Sequence, residues 1–378
     1  MTRNRKNIRL AALCAAVMIL CPLGTGAGKL DELTGRCYIV EGDQVQQTSV
    51  STSAGSGSDT TPSGKLNSFV TDGSIRVSDL LAVAKDYSTV PDEFLQDMKG
   101  RGSITVAQFR KYMTDYKLPG QYAQRFIDDY FIFKQGNTFQ YLPVESGATK
   151  HRYNWDNLVH YTYEKDYVVG GSSRALKGID VSVFQGNINW SSVKADGVDF
   201  VFIRLGYRGY SNGAIKIDSN FHKNIQGAKA AGLRVGVYFY SQAISRSEAI
   251  EEAEFCLDEL SGYSLDMPVV FDFEGAGSSA YRTYGMSTQT MVNVVKAFCD
   301  TIEGSGYKSM YYSYAKFLAE HEGMVAQLED YDLWMAVYYR VPFFPYNFKI
   351  WQYSSSGRVS GISGNVDMNL LFLDYQPS

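Results

Sequence analysis

The sequence predicts an α/β fold in which residues 177–378 form a TIM-like barrel of eight strands with a reduced outer layer of helices, preceded by a small, mainly helical module. Three observations predict it. Eight short runs of β-branched, aromatic and other apolar residues recur through the second half of the chain. Helix-like segments separate the first five runs. The later gaps are too short for full crossover helices. Alternating strands and helices imply a parallel sheet, and eight strands suggest closure into a barrel.

The eight runs are 177–182 (KGIDVS), 200–206 (FVFIRLG), 234–240 (RVGVYFY), 268–274 (PVVFDFE), 308–314 (KSMYYSY), 333–339 (LWMAVYY), 348–354 (FKIWQYS) and 366–372 (VDMNLLF). Between them, residues 218–232 end in a glycine stop, residues 246–260 are amphipathic, and residues 287–304 start at a capping-type Ser287 and end at Gly304.

Five segments divide the chain. Residues 1–28 read as an export signal: Arg3, Arg5, Lys6 and Arg9 are followed by an apolar run over 10–21 and then by small residues. The run is short for a membrane span, which needs about 20 residues; an uncleaved anchor is the other reading. After cleavage no stable membrane insertion is expected, and the chain is expected to be secreted, either extracellular or associated with the cell wall. Residues 29–64 are a Ser/Thr/Gly-rich linker. Residues 65–150 are the helical accessory module, 151–176 an aromatic connector, and 177–378 the barrel.

The accessory module contains a weak repeat. Gly73-Ser74-Ile75-Arg76-Val77 and Gly102-Ser103-Ile104-Thr105-Val106 each lead into a helix-like stretch. The spacing matches the Gly and Ile of an EF-hand or dockerin-like loop. The calcium ligands do not match, because Lys99, Arg101 and Gln108 stand where such a loop needs carboxylates. The expectation is a helical pair that keeps the turn geometry without the metal. This module has a partner of unknown kind, or a purely structural role.

The formal net charge is −4, and the four cations of the signal take the remainder to about −8. A nucleic-acid binder would normally be basic, so no nucleic-acid partner is expected. Cys37, Cys256 and Cys299 remain after export, an odd count that permits one internal bridge at most. Cys256 and Cys299 lie in helix-like stretches, as a bridge between neighbouring helices or as two buried free thiols. No CxxC or His cluster calls for a metal, and no cofactor is expected.

In such a barrel the chemistry lies at the C-terminal ends of the strands. The first strand ends in Asp180 and Ser182, the third in Tyr238 and Tyr240, the fourth in Asp272 and Glu274, and the seventh in Trp351, Gln352 and Tyr353; Asp367 stands near the start of the eighth. Residues two apart on a strand share a side, so Asp272 and Glu274 face one cavity. Like charges so close raise one pKa, and a carboxyl held protonated near neutral pH is what a departing glycosidic oxygen needs. Val269, Val270, Phe271 and Phe273 are expected to exclude water from the pair. Alone, the pair equally fits two acids neutralised by Arg204 or a lysine. The aromatic set fits either sugar stacking or barrel filling. No Ser-His-Asp order and no glycine-rich phosphate loop is present.

The segments 178–190 (GIDVSVFQGNINW), 193–209 (VKADGVDFVFIRLGYRG), 230–241 (AAGLRVGVYFYS), 268–275 (PVVFDFEG), 311–314 (YYSY), 333–339 (LWMAVYY) and 350–369 (IWQYSSSGRVSGISGNVDMN) fall in an order that closely resembles the family 25 glycoside hydrolases, the Chalaropsis-type lysozymes. The resemblance covers about half the chain. It implies a reduced (β/α)5(β)3 barrel and hydrolysis of the β-1,4 bond between N-acetylmuramic acid and N-acetylglucosamine in bacterial peptidoglycan. Glu274 matches the general acid, Asp272 its partner acid, and Asp180 and Asp367 the two further acids. Tyr238, Tyr240, Trp351 and Tyr353 lie in motifs that line the sugar groove, with Gln352 and Arg204 as further substrate-binding candidates. Asp272 is either a nucleophile or, as expected for a 2-acetamido sugar, the group that orients the substrate's own N-acetyl. The alternatives are a chitinase-like glycosidase, whose DxxDxDxE motif is interrupted here by Met267 and Val270, and a non-catalytic wall-binding barrel.

Overall fold

The computed structural model describes residues 29–30, 37–38, 69–127, 129–135, 138–275 and 278–373. The export signal (1–28) and nearly all of the linker (29–64) lie outside the described residues. Among the described residues, eight strands close into a barrel in chain order: β1 (Ala175–Val181), β2 (Phe200–Arg208), β3 (Arg234–Tyr240), β4 (Val269–Asp272), β5 (Ser309–Tyr314), β6 (Leu333–Ala336), β7 (Ile350–Gly357) and β8 (Val366–Phe372). Each coincides with one of the eight runs read from the sequence, with boundaries displaced by at most three residues. β1 to β7 pair in parallel. β8 is antiparallel to both β7 and β1 and closes the ring.

The crossovers carry α1 (Trp190–Ala195), α2 (Phe221–Ala230), α3 (Arg246–Glu259), α4 (Thr288–Gly304) and α5 (Ala315–Glu320), the last followed by a helical turn over Met324–Gln327. Among the described residues no helix follows β6 or β7. Side chains accept the free N–H groups at the helix starts: Ser245 Oγ from Glu248 N (3.3 Å) at α3, and Ser287 Oγ from Thr290 N (3.2 Å) at α4. Cys256 on α3 and Cys299 on α4 are buried free thiols.

Strand alternation sorts the side chains into two layers. Phe200, Phe202, Tyr238, Val270, Met310, Tyr312 and Trp334 fill the barrel. Val201, Ile203, Val235, Val237, Phe239, Val269 and Phe271 point outward into the larger core beneath the helices. Trp334 plugs the interior, stacked on Phe202 at 4.7 Å and meeting Tyr312 edge-on at 4.7 Å. Gly178 on β1 is needed beside this plug, since a Cβ there would lie 2.1 Å from the Phe200 ring.

The N-terminal part has its own core. Helices Val77–Ala84, Asp92–Met98, Val106–Asp115 and Gly120–Gln124 surround Leu80, Phe94, Phe109, Tyr122 and Phe126. The two repeat units join through their short strands, with Ile75 opposite Ile104, Val77 N donating to Gly102 O (3.1 Å) and Val106 N to Gly73 O (3.0 Å). Where a calcium loop would gather oxygens, the Arg101 guanidinium instead bonds the Asp97 carboxylate at 2.7 Å.

A hairpin, Tyr130–Gln135 and Thr138–Pro143, bridges the two cores by period-two alternation: Ile132 faces the module, whereas Phe131 and Phe133 face the barrel. The connector then covers the strands that lack helices. Tyr153 lies 4.3 Å from Phe372 of β8, and Trp155 stacks on Phe348 at 6.2 Å. A second hairpin, Leu158–His160 and Lys165–Val169, places Lys165 over the Trp351 and Tyr353 rings at 5.6 and 5.7 Å.

Lys165 Nζ lies 3.0 Å from His160 Nδ1 and donates to Arg340 O at 3.3 Å. Burial, and after it the Arg340 charge, pulls the amine from its usual 10.5 down to about 7. A lowered amine contributes stability where it is neutral in folded and unfolded chains alike, above 10.5, and that contribution is lost as pH falls through about 7. Lys165→Met is therefore expected to melt above the wild type at pH 6, with the gap closing toward pH 10. A gap equally wide at both values, measured by thermal unfolding, would contradict this.

Candidate active site

The end of the barrel formed by the C-termini of the parallel strands gathers the acids. On β4, Val270 and Asp272 face inward while Val269, Phe271 and Phe273 face outward. Glu274, two residues past the end of β4, is buried and close enough to Tyr314 to add to burial in raising that hydroxyl's pKa. Asp180 on β1 and Asp367 on β8 are direct cross-strand partners on the same face. Asp180, Asp272 and Glu274 are buried, and Asp367 is half-buried. Tyr240 and Tyr312 flank Asp272 on β3 and β5.

Buried carboxylates need hydrogen-bond donors. Asp180 Oδ2 accepts from Gln352 Nε2 and from Asn369 Nδ2, both at 2.8 Å. Each amide is fixed in turn. Asn369 Oδ1 accepts from Trp334 Nε1 at 2.8 Å, and Gln352 Oε1 accepts from the Tyr312 and Tyr338 hydroxyls at 2.9 and 2.7 Å. The network ties β1, β5, β6, β7 and β8 together beneath the mouth. Gln242 Nε2 donates to the Tyr240 hydroxyl at 3.2 Å. Burial, and then the Glu274 charge, pushes the Tyr314 hydroxyl well up, so Tyr314 stays protonated beside Glu274. Gly275 keeps this approach open, because a Cβ there would lie 2.7 Å from the Tyr314 hydroxyl and 2.7 Å from the Phe317 ring.

Not every sequence candidate reaches the mouth. Tyr238, Tyr240 and Gln352 do. Trp351 and Tyr353 do not: alternation along β7 turns both outward, where Trp351 Nε1 donates to Val337 O (2.8 Å) and the Tyr353 hydroxyl accepts from Lys165 N (3.3 Å). They seat the connector rather than line an inner groove. The water-excluding walls also differ from expectation. Phe271 and Phe273 pack outward against Phe298 and Phe317, leaving Tyr238, Tyr312 and Trp334 as the inner wall.

Arg204 faces inward on β2 but is tied to buried Asp218, Nε to Oδ2 at 2.8 Å, with the half-exposed Phe184 ring over its guanidinium at 5.0 Å. Arg204 is thus a buried cation paired with Asp218 beneath the Phe184 ring. Asn369, Trp334, Tyr312 and Tyr338 were missed as site residues. Asn369 was findable, since it stands two residues from Asp367 and shares its face. Among the described residues no group of three or more His, Cys, Asp or Glu side chains fits a metal ion.

Replacing Asn369 by Leu removes a donor from Asp180 and the acceptor of Trp334 Nε1. The Trp334 N–H left without its acceptor costs about 1–3 kcal/mol, and Asp180, which keeps the Gln352 donor, loses a hydrogen bond to a carboxyl worth about 1.5–3 kcal/mol. Urea unfolding of Asn369→Leu is expected to show a loss of at least about 2 kcal/mol. A loss within the scatter of surface substitutions would mean that the network does not hold Asp180.

Residues 179–362 match the model of the glycosyl hydrolases family 25. The autolytic lysozyme of Clostridium acetobutylicum is 32% identical over 195 residues, which cover 51% of this chain and 55% of that protein. Lysozyme M1 of Streptomyces globisporus is 32% identical over 206 residues, covering 51% of this chain and 67% of its own length. Among solved structures, the bacterial lysozyme from Streptomyces coelicolor shares 30% identity over 52% of this chain and 91% of its own, with a TM-score of 0.43. The chain thus spans little more than half of the clostridial relative. The family match runs from β1 into the β7–β8 loop and takes in Asp180, Asp272 and Glu274; together with the 32% identity to Lysozyme M1 over 67% of that protein's length, it places this chain in glycosyl hydrolase family 25.

Proposed function

We propose that this chain is a secreted lysozyme that hydrolyses the β-1,4 bond between N-acetylmuramic acid and N-acetylglucosamine in bacterial peptidoglycan, using a reduced (β/α)5(β)3 barrel. The observation that carries this reading is the convergence of Asp180, Asp272, Glu274 and Asp367 at one end of a family 25 barrel. The relatives named above are called lysozymes, which supports the substrate class. The export-type N-terminus supports action outside the membrane.

Glu274 is the general acid. It stands at the rim, close to Tyr314 and Phe317, and delivers a proton to the glycosidic oxygen as the bond breaks. Asp272, on β4, orients the substrate's 2-acetamido group as that group attacks the anomeric carbon; the retaining alternative makes Asp272 itself the nucleophile. Asp180, held by the Gln352 and Asn369 amides, and its cross-strand partner Asp367 lie where carboxylates stabilise positive charge developing on the sugar. Tyr238 and Tyr240 offer inner aromatic faces to the sugar, and Arg204 with Phe184 borders it. Residues 65–150 brace the barrel: Gln121 Oε1 accepts from Arg340 N at 3.3 Å, and Asp86 meets the Arg340 guanidinium at 3.1 Å.

Clearing of purified bacterial walls tests the assignment. Loss of the general acid in Glu274→Gln is expected to slow clearing at least about 100-fold. Wild type and variant clearing at one rate would overturn the reading. Walls whose muramic acid lacks the N-acetyl group separate the two roles of Asp272: the substrate-assisted route predicts resistance, and a nucleophilic Asp272 predicts cleavage.

A further inference from the structure

A second feature lies outside the barrel, where no acid of the mouth points. The connector hairpin turns through Tyr161, Thr162, Tyr163 and Glu164, closed by Tyr161 N donating to Glu164 O at 2.8 Å. Tyr161 and Tyr163 are 58% and 57% exposed, unusual for tyrosines held on an ordered turn. They form one wall of a cavity of about 500 Å³, whose opposite wall is the β7–β8 loop with Arg358, Ser360 and Ile362. That volume is within the roughly 300–1,000 Å³ typical of small-molecule sites.

The cavity is built rather than incidental. Its floor is an ion-pair knot in which Lys177 Nζ bonds Glu164 at 2.6 Å and Asp196 at 3.2 Å, and Asp196 accepts from Ser360 Oγ at 2.7 Å. The knot joins the hairpin turn, β1, the end of α1 and the β7–β8 loop. Glu164 and Asp196 are both paired with Lys177, and Arg358 is an exposed cation on the walls. The loop also connects the cavity to the mouth. Gly361 O accepts from Asn189 N, the cap of α1, at 2.9 Å, and β8 begins a few residues later with Asp367 on the inner face. From Asn189 to Asp196 the helix descends about 10 Å, so the cavity, which is lined at the Asp196 end, lies on the flank of the barrel.

We propose that this cavity is a second binding site for a peptidoglycan glycan strand, in which Tyr161 and Tyr163 present ring faces to the sugars and Arg358 pairs with a muramyl or stem-peptide carboxylate. The site rests on the glycan-substrate reading above and extends it. Two exposed aromatic rings beside a cation suit a polymer that is apolar on its sugar faces and anionic at alternate residues. Tyrosine supplies a large contact area with only two side-chain torsions to fix, so its ordering on binding costs little. A polymer much longer than the inner mouth gains from a remote hold, because the second contact is intramolecular.

Co-sedimentation with purified sacculi measures this without catalysis when every protein carries Glu274→Gln. In that background Tyr161→Ala/Tyr163→Ala is expected to weaken binding at least fivefold, with its melting curve unchanged because both rings are exposed. In the active chain the same pair should lower the ratio of wall clearing to hydrolysis of a short soluble oligosaccharide by a similar factor. Arg358→Ala is expected to weaken binding to untreated sacculi but not to sacculi with amidated carboxyls. Unchanged sedimentation of the tyrosine variant would overturn the second site, and equal behaviour of Arg358→Ala on both wall preparations would overturn the carboxylate contact. Failure of the lysozyme reading itself shows separately, as wall clearing that survives Glu274→Gln.

Discussion

The barrel depends on how the charge of Asp180 is accommodated. A carboxylate with 2% of its surface exposed is stable only if donors replace water. Both donors come from the two strands that complete the ring, Gln352 on β7 and Asn369 on β8. The antiparallel β8 is the one strand that enters the ring against the direction of the others, and the Asp180 contacts fix its register beside β1. Each amide is polarised from its far end, Asn369 by the plugging Trp334 and Gln352 by two tyrosines. Hydrogen bonds in such chains reinforce one another at low dielectric. Closure of the sheet, filling of its interior and placement of one acid are thus a single arrangement.

A barrel with no helix after β6 or β7 leaves outward apolar residues that must be covered by something else. The N-terminal chain supplies the cover. Tyr153 and Trp155 pack on Phe348 and Phe372, Trp155 meets Trp351 at 6.3 Å, and Phe131 of the bridging hairpin meets Phe344 at 6.1 Å and Tyr346 at 5.9 Å. Aromatic side chains suit this task because each buries a large area at low entropic cost. The connector is therefore part of the barrel's outer layer in physical terms, although it precedes β1 in sequence.

The eight strands were legible because each is short, apolar and bounded by turn or helix signals, and the acids of β4 because spacing of two forces a shared face. The same rule, carried along β7, places Gln352 inside and Trp351 and Tyr353 outside, whereas membership of a groove-lining motif says nothing of which face of the strand a residue occupies. Parity would likewise have found Asn369 from Asp367. Other features were beyond any local pattern. Nothing near Arg204 in sequence announces Asp218 as its partner, and the encounter of Tyr338 with Gln352 depends on how the loop after β6 folds back. The paired repeat was visible in its Gly and Ile spacing, whereas the Arg101–Asp97 contact in its second loop needed coordinates.

The cover over β7 and β8 also explains why a remote binding surface arises where it does. Crossover helices on those strands would occupy the flank beside the β7–β8 loop. Here the connector's small three-stranded sheet, Leu158–His160, Lys165–Val169 and Ser172–Ser173, lies before β1 instead, and its first turn lines the cavity. The Lys177 knot fixes the turn at that point, so the exposed rings of Tyr161 and Tyr163 are held on a scaffold stabilised by the barrel itself. The outward Trp351 and Tyr353, removed from the inner groove, anchor the same hairpin through Lys165. Aromatic residues of β7 thereby seat the segment whose own aromatics form the proposed second surface.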